Sequence, residues 1–448
     1  MKTQLDIFSP LYYSTLGYDE EIIDYLTFIE DEIICELFPT PIKDPRGRKA
    51  WSAVVLFRMH FLYFTKPEFV SFRQLCRELG KPKQQDYRNF IGLVDAKVPS
   101  HAALSRFRTA LGLESNSEET EQRIDAMNRM FVNQATKLDG FLNLMLGSLD
   151  SRPVYAKVGG FKKECTCKTP DNCTCKVRFS DPDAKAGRQR MKVNNNRYFV
   201  GYRKNTMVCP SSQGPMPLGS VVVDAKTSDG TMLLKCLEYL KLMGIVLLFL
   251  IADMGYIDGR DKVTAFTKYH IAVSTEVKKN MVRPDECDEQ GRLLCPEGHL
   301  AELLSFDYDT LMVGYGGNQE QCQSCIRNRT CDKEFTYSFE KEPQFFGPVP
   351  QGSKLQQEML RFRKQSELNF ALESNLLDGV FRHKKLPVRN IKRVETYLKL
   401  ADICRLIAGM RNHCHEKYVS EEQTEMLRQM AEKEIYGYLK AKTVNKAA

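Results

Sequence analysis

The sequence predicts an α/β fold in which a mixed sheet follows a helical region and precedes further long helices. In residues 1–138, short segments repeat apolar residues at helical spacing. From residue 142 onward, apolar runs of strand length are mixed with amphipathic helices, and this order favours a sheet with at least some parallel strands. From Lys354 the pattern returns to long helices.

The first region, residues 1–138, is predicted to be a helical domain. Its helical segments are 19–38, 51–63, 71–79, 84–93, 100–111 and 118–138. Ser100 is a plausible N-cap for one of them. Short helices with tight turns and basic residues, among them Arg106 and Arg108, fit a helix-turn-helix-like module that binds DNA. They fit any small helical bundle about equally well.

The rest of the chain divides into a core, an insertion and a helical end. Residues 139–276 are predicted to be the first part of the core, with strands at 142–149, 198–208, 218–224, 245–252 and 271–275 and helices at 229–242 and 260–269. Residues 277–353 are predicted to be an insertion rich in Gly and Cys. Residues 354–448 complete the core, with helices at 354–380, 391–411 and 420–442. The polar segment 178–196 is predicted to be a mobile loop.

Composition argues against a membrane protein and permits a polyanionic partner. No apolar run reaches bilayer length, and residues 1–10 lack the pattern of a secretory signal, so we expect a cytoplasmic protein. The net charge of +8 over 448 residues is mild and does not by itself establish nucleic-acid binding. Fifteen cysteines in a reducing compartment indicate metal sites more than disulfides.

Two aspartates follow apolar strands in a way that suits metal-assisted phosphoryl transfer. Asp150 comes after residues 142–149, and Asp253 comes after residues 245–252 and precedes Gly255. Side chains at the carboxyl edge of an α/β sheet face the crevice where ligands bind. Carboxylate oxygens suit Mg²⁺, and two such ions hold the attacking and leaving oxygens of an in-line displacement. Alone, Asp150 is also explained as a strand-terminating aspartate and Asp253 as a turn aspartate, although the Ala-Asp-x-Gly-Tyr sequence at Asp253 is more specific.

A third carboxylate is expected from the helix at 354–380, which offers Glu367 and Glu373. Six residues place them roughly 120° apart around the helix, so both cannot face one point. Glu367 is explained by a surface pair with Arg363, four residues earlier. Glu373 lies among apolar residues without such a partner, and we therefore predict that Glu373 is the third acid.

Two cysteine groups have the spacing of zinc ligands. The first comprises Cys295, Cys322, Cys325 and Cys331. Its Cys-x-x-Cys pair is a tight chelate, and four thiolates complete a closed structural site. The second comprises Cys165, Cys167, Cys173 and Cys175, whose Cys-x-Cys pairs are poorer chelates. Free thiols are the alternative for both groups.

The acidic segments resemble those of bacterial insertion-sequence DDE transposases. Residues 147–150 and 251–256 look like the first two acidic motifs of that family, and residues 181–184 and 199–203 resemble its strand motifs. Residues 373–375, followed by Arg382 and residues 388–394, resemble the helix that carries the Glu and its basic continuation. Near the amino terminus, residues 48–51, 99–101 and 104–108 look like the amino-terminal domain of the same transposases.

The resemblance implies a ribonuclease-H-like core that cleaves DNA at element ends and transfers the strand to a target. It implies two Mg²⁺ or Mn²⁺ ions held by Asp150, Asp253 and Glu373, double-stranded DNA as partner, a homodimer on that DNA, and a bacterial, nucleoid-associated location. The cysteine-rich segment resembles the insertion of one branch, with structural Zn²⁺. The expected DNA contacts beyond the amino-terminal helices are Arg203, Arg382, Lys384, Lys385 and Arg389.

One departure from the family keeps alternatives open. A Tyr-Arg-Glu-Lys pattern of related transposases is half met, since Arg363 and Glu367 match while Leu360 and Ser374 replace the other two residues. Glu367 therefore stays an alternative third acid. A catalytically silent DNA-binding regulator and a non-transposing nuclease on the same core are the alternative functions.

Overall fold

The computed structural model describes most of the chain between residues 20 and 415. The described ranges are 20–42, 50–93, 97–113, 121–158, 160–161, 178–190, 196–256, 258–278, 281–317, 319–326, 331, 334–376 and 386–415. Within them the fold is a mixture of helices and sheets, so the predicted α/β class is confirmed at that level.

The α-helices and strands follow the predicted order with shifted ends. The α-helices are α1 (Glu20–Asp24), α2 (Asp31–Leu37), α3 (Ala53–Thr65), α4 (Phe72–Leu79), α5 (Gln85–Ile91), α6 (His101–Leu111), α7 (Arg123–Thr136), α8 (Leu233–Leu242), α9 (Gly259–Tyr269), α10 (Gln319–Ser324), α11 (Lys354–Leu376) and α12 (Ile391–His415). The strands are β1 (Leu146–Tyr155), β2 (Gly160–Phe161), β3 (Arg178–Phe179), β4 (Lys185–Arg190), β5 (Asn196–Cys209), β6 (Met216–Asp224), β7 (Phe249–Ala252), β8 (Ala272–Thr275), β9 (Ala301–Asp307), β10 (Met312–Gly317) and β11 (Glu334–Ser338).

The amino-terminal helices surround α3, which is apolar on nearly every side and buried from Ala53 to Phe64. A helix that is hydrophobic all round belongs in the centre of a bundle. Its two long polar side chains have partners: Arg58 pairs with Asp31 at 2.7 Å, and His60 Nδ1 lies 2.7 Å from the carbonyl oxygen of Leu56. The predicted N-cap is confirmed, because Ser100 accepts a hydrogen bond from the backbone N–H of Ala103.

The central sheet has six strands. β1 pairs antiparallel with β5, and β5 pairs antiparallel with β6 and β4. On its other side β1 runs parallel to β7, which runs parallel to β8. A separate antiparallel sheet, β11-β10-β9, forms part of the predicted insertion. The two long crossovers into β7 and β8 contain α8 and α9, which agrees with the rule that parallel strands need a helical connection.

One strand contradicts the prediction of a mobile loop at 178–196. Residues Lys185–Arg190 form β4, which pairs with β5 from Lys185↔Gly201 to Arg190↔Asn196. A Cβ atom at Gly201 would lie 2.0 Å from the carbonyl oxygen of Val154, so glycine is needed where the β4–β5 ribbon meets β1. The polar composition of this segment predicted a loop. Both faces of a projecting ribbon can also be polar, so composition does not distinguish the two.

Helix α12 connects the two halves of the molecule, which are the amino-terminal helices and the central sheet. It packs against α7 and α3 on one side and against β6 on the other, and it is buried along most of its length. Lys399 of α12 pairs with Asp125 of α7 at 2.6 Å, and Asp402 pairs with Lys204 of β5 at 2.6 Å. One continuous apolar core therefore crosses the boundary predicted at residue 138.

Candidate active site

The strand register brings Asp150 and Asp253 together. The last parallel pair of β1 and β7 is Leu149↔Ala252, and the next residue of each strand is one of the two aspartates. β7 ends there, as predicted. β1 instead continues to Tyr155, because β5 extends its antiparallel pairing to that residue. Asp150 therefore lies within a strand and not at its end as we had expected, yet its neighbourhood with Asp253 is the predicted one.

A third carboxylate, Asp229, lies beside these two and was missed in the sequence analysis. It begins a short 3₁₀ turn that contacts the turn Met254–Tyr256. A Cβ atom at Gly255 would lie 3.4 Å from Cβ of Asp229 and 3.8 Å from Oδ2 of Asp253, so Gly255 lies between the two carboxylates. Oδ1 of Asp229 is buried and has no hydrogen-bond partner among the described residues. The sequence signal was weak, since Ser-Asp-Gly is common in turns.

Burial and the neighbouring carboxylates raise the proton affinity of Asp150 and Asp229. Burial, together with the charges of Asp253 and Asp229, raises the pKa of Asp150 to about 7, while the backbone N–H of Ser151 and the charge of Arg363 act in the opposite direction. That N–H donates to Oδ1 of Asp150 at 2.7 Å. Burial also raises the pKa of Asp229, against the charge of Arg203. Such shifts are typical of carboxylates gathered in one site.

Two arginines flank the carboxylates. Nη2 of Arg363, on α11, lies 3.3 Å from Oδ1 of Asp253. Nη1 of Arg203, on β5, lies 3.5 Å from Oδ2 of Asp229, and its Nη2 donates to the carbonyl oxygen of Arg188 at 2.7 Å. Arg363, which we had assigned to a surface pair with Glu367, thus reaches the candidate site. Arg203 lies in the site as well, and it connects the site to the β4–β5 ribbon.

Tyr256 is a buried residue close to the carboxylates. Its hydroxyl donates to Oδ1 of Asn205 at 2.6 Å. Burial raises the pKa of Tyr256 well above its usual value, and the nearby charges of Asp229 and Asp150 add to the effect. The phenol is therefore a fixed, neutral hydrogen-bond donor at neutral pH.

The donor set fits hard divalent cations. Carboxylate oxygens are the ligands that Mg²⁺ and Mn²⁺ prefer, and a cation would offset the repulsion that raises the pKa of Asp150. Within the described ranges, no three His, Cys, Asp or Glu side chains form a ready ligand group as they stand. Asp150 and Asp253 would therefore need a further ligand from another segment, from water or from the substrate.

Both candidates for the helix carboxylate lie on α11. Glu367 is exposed. Glu373 also belongs to α11, and its side chain is outside the described part of the chain. The helix contacts β1 and β7, the two strands that lead to Asp150 and Asp253. The helix that carries both candidate glutamates is therefore next to Asp150 and Asp253.

The predicted DNA-binding residues fare differently. Arg108 is buried, where its Nη1 lies 2.9 Å from Nε2 of His60 and its guanidinium stacks over the ring of Phe72. This position is at odds with a phosphate contact, because the guanidinium contacts His60 and Phe72 inside the helical core. Arg106 is half-buried and Arg389 is exposed. The residues Arg382, Lys384 and Lys385 lie outside the described ranges.

The first cysteine group lies on turns of the insertion. Cys295 begins a tight turn in which the N–H of Gly298 donates to its carbonyl oxygen at 2.8 Å, and the N–H of Cys325 donates to that of Cys322 at 3.3 Å. All four cysteines are half-buried, and within the described ranges their thiols do not form a ready metal-ligand group as they stand. The second group, Cys165, Cys167, Cys173 and Cys175, lies outside the described part of the chain.

Among the comparisons with known proteins, the family match concerns the amino-terminal region. Residues 18–110 match the model of a family described as a transposase domain (DUF772). No curated protein matches the chain significantly. A cryo-EM structure of a piggyBac transposase synaptic complex with hairpin DNA aligns over 95% of this chain and 82% of that chain, with 9% identity and a TM-score of 0.34. Within the described ranges, no helix is long and apolar enough to cross a membrane. The family match relates residues 18–110 of this chain to transposases.

Proposed function

We propose that this protein is a DNA transposase that cleaves DNA at the ends of its element and transfers the cut strand to a target. The observation that carries the proposal is the carboxylate cluster of Asp150, Asp253 and Asp229 where the parallel pairing of β1 and β7 ends, flanked by Arg363 and Arg203. The transposase-domain match at residues 18–110 supports the same conclusion independently of the cluster.

The strand order supports a ribonuclease-H-like core. β1, β5 and β6 form an antiparallel meander, and β7 and β8 extend the sheet parallel to β1 on its other side. In this arrangement β1 is central, and β7 lies beside it. An acid on each of these two strands is then fixed by the backbone register, as found for Asp150 and Asp253.

The chain's own residues would act mainly by positioning charge. Two divalent cations, held by Asp150, Asp253 and a third carboxylate, would supply Lewis-acid activation of the phosphodiester. Arg363 and Arg203 would hold the carboxylates in place and compensate their charge. The β4–β5 ribbon presents the exposed side chains of Lys185 and Arg188 beside the site, and these can contact DNA phosphates. The DNA is proposed to be double-stranded and bound by two copies of the chain.

The register of α11 bears on the choice of third acid. Arg363 faces the site, because it pairs with Asp253. Glu367 lies four residues later, about 40° around the helix and about 6 Å along it. Glu373 lies ten residues later, about 80° to the other side and about 15 Å along the axis. This geometry favours Glu367 over the Glu373 that we predicted from the sequence.

Glu367→Gln is accordingly expected to lower the rate of metal-dependent cleavage by about 10²-fold or more, since it removes a charged ligand and keeps the side-chain size. Glu373→Gln is its matched control on the same helix and should keep a rate within a few-fold of wild type. Single-turnover cleavage of a labelled element end measures both. The reverse pattern would assign the third acid to Glu373.

The function is tested with DNA from either side of the gene, which should contain the element ends. Purified protein and Mg²⁺ are incubated with this DNA and a supercoiled target plasmid. A transposase yields 3′-hydroxyl ends and then joined products, also when a pre-cut end is supplied. Cleavage without joining would indicate a nuclease, and binding without cleavage would indicate a regulator. Either result would refute the proposal.

We also propose that Cys295, Cys322, Cys325 and Cys331 hold one structural Zn²⁺ in the insertion. The Cys-x-x-Cys pair supports this, since Cys322 and Cys325 lie at the two ends of one tight turn, a spacing that suits two thiolates on one ion. Cys165, Cys167, Cys173 and Cys175 are proposed as a second site on sequence spacing alone.

Cys325→Ser is expected to lose about one equivalent of zinc and to make residues 277–353 sensitive to protease, because closed zinc sites contribute folding free energy. Cys209→Ser, at a buried thiol of the central sheet, is the control and should keep the metal. Elemental analysis of both proteins decides the matter. Equal zinc content in wild type and Cys325→Ser would refute the assignment.

A further inference from the structure

The loop that precedes β4 contacts the start of α12, although 208 residues of chain separate the two. Asp181 of this loop is fully buried, and its Oδ1 accepts from the backbone N–H of Asn390 at 3.2 Å. Its Oδ2 accepts from the hydroxyl of Tyr202 on β5 at 2.8 Å. Oδ2 of Asp183 accepts from the backbone N–H of Ile391 at 2.9 Å. Two aspartates of one loop therefore hold the point at which α12 begins.

These contacts satisfy backbone donors that a helix leaves free. The first N–H groups of an α-helix have no partner within the helix, and an acceptor placed there is stabilising. In α12 the N–H of Lys392 donates to Oδ1 of Asn390 at 3.2 Å, while the N–H of Ile391 donates to Asp183. Asp183 also places a negative charge at the positive end of the helix dipole. The start of α12 is thus fixed by a residue from another segment of the chain.

The same contacts bring two basic segments next to each other. Lys185 and Arg188 follow the loop on β4, and Arg389 and Lys392 lie at the start of α12. All four side chains are exposed, and none of them pairs with an Asp or Glu of the described ranges. The hydrogen bond from Ile391 lies within two residues of both lysines. We call these four cations the basic surface.

The basic surface lies along the strand that leads to the carboxylate cluster. Lys185 is opposite Gly201 of β5, and Asp150 is opposite Thr206 of the same strand. Five residues of a strand span about 16 Å, and duplex DNA rises about 3.4 Å for each base pair. A duplex that lies over the carboxylates therefore reaches the basic surface after about five base pairs.

The chemistry of the basic surface suits the DNA backbone. Exposed ammonium and guanidinium groups bind phosphate oxygens and carry no information about the base sequence. Two of the cations belong to a strand and two to the start of a helix. Their relative position is therefore set by the contact between the loop and α12.

We propose that Asp183 is a positioning residue for DNA binding: it holds the cations of α12 beside those of β4, so that the four form one surface for duplex DNA. DNA as the partner rests on the proposed function. Asp183 itself touches no DNA, and its charge alone would repel phosphate. Its removal therefore weakens DNA binding if Asp183 positions α12, and strengthens binding if Asp183 acts only as a nearby negative charge.

Fluorescence anisotropy of the full-length protein with a labelled duplex of mixed sequence, in EDTA, measures DNA affinity without cleavage. Asp183→Ala should bind about tenfold more weakly than wild type, and the slope of log affinity against log salt should fall by about one to two units. Asp183→Asn keeps an acceptor for the N–H of Ile391 and loses the charge, so it should bind at least as tightly as wild type. Equal or tighter binding by Asp183→Ala would overturn the proposal.

A second cation variant separates positioning from a general loss of structure. Lys392→Gln should weaken binding about fivefold in the otherwise wild-type chain and have little further effect beside Asp183→Ala, which has already displaced that cation. Glu238→Ala, at an exposed acid of α8, should bind as wild type does. If Asp183→Ala misfolds by circular dichroism, Lys392→Gln and Arg389→Gln still test the surface, and a wild-type salt slope in both would refute it.

Loss of the basic surface and loss of the transposase function give different results. A protein that shows these variant effects but neither cuts nor joins DNA keeps the basic surface and loses the transposase function. A protein that joins a cut end to a target, while Asp183→Ala and Lys392→Gln bind as wild type does, keeps the function and loses the basic surface.

Discussion

Asp150→Asn and Asp253→Asn are expected to lower DNA cleavage by about 10³-fold or more while DNA affinity stays within a few-fold of wild type. Each change removes a negative charge from the cluster and keeps the shape of the side chain, so metal binding is lost and phosphate contacts remain. A loss of about 10³ in rate corresponds to roughly 4 kcal/mol of transition-state stabilisation. Single-turnover cleavage and a gel-shift titration measure the two quantities on the same preparations.

Asp258→Asn is the matched control for Asp253→Asn. Asp258 lies five residues further along the chain and caps α9 by accepting from the N–H of Arg260, a role that Asn also fills. Its cleavage rate should equal that of wild type. If Asp150→Asn or Asp253→Asn also cleaves normally, the carboxylate cluster is not the catalytic site.

The Asp150→Asn protein should also be more stable than wild type at high pH in the absence of metal. Burial and the neighbouring carboxylates raise the pKa of Asp150 to about 7 in the folded protein. The folded state therefore binds the proton more tightly than the unfolded state, and wild-type stability falls as pH rises from about 4 to about 7. Thermal unfolding at pH 8 should show a higher midpoint for the variant, and at pH 4 the difference should disappear. A lower midpoint at pH 8 would contradict the conclusion that burial and the neighbouring charges disfavour the ionised form of Asp150.

The sequence could predict that Asp150 and Asp253 lie close together because apolar strand segments have local signals, although β1 continues past Asp150. A buried apolar run followed by a carboxylate can be read along the chain, and parallel pairing then brings two such residues together. It could not predict Asp229 or the reach of Arg363. Asp229 depends on how one turn packs against another across Gly255, and Arg363 depends on the rotation of α11 against the sheet. Both are tertiary facts without a periodic signature.

The same limit explains the errors about basic residues. Arg108 was predicted to contact DNA because it lies among basic residues. The segment 185–190 was predicted to be a loop because it is polar. In the structure, Arg108 is buried against His60, whose pKa is lowered well below its usual value by burial and by that charge. Residues Lys185–Arg190 form a strand because β5 offers them a long pairing edge. Composition does not reveal which polar group finds a buried partner.

The buried pair Lys204–Asp402 is the clearest case of such a partner. Lys204 lies on β5 and Asp402 on α12, separated by 198 residues. Oδ1 of Asp402 lies 2.6 Å from Nζ of Lys204, and Oδ2 accepts from the hydroxyl of Ser220 at 2.8 Å. All three side chains are almost fully buried. This network connects α12 to β5 and β6 of the central sheet.

Asp402→Ala is expected to destabilise the protein by about 3–5 kcal/mol, because it leaves the Lys204 charge buried without its counter-charge. The double variant Lys204→Met, Asp402→Leu should recover most of that loss, since an apolar pair of similar volume fills the same space. Urea unfolding followed by circular dichroism measures both effects. Glu238→Ala breaks the exposed pair with Lys268 and should leave the midpoint nearly unchanged. If Asp402→Ala unfolds at the wild-type urea concentration, α12 is held by its apolar contacts alone, and the ion pair contributes nothing to the joining of the two halves.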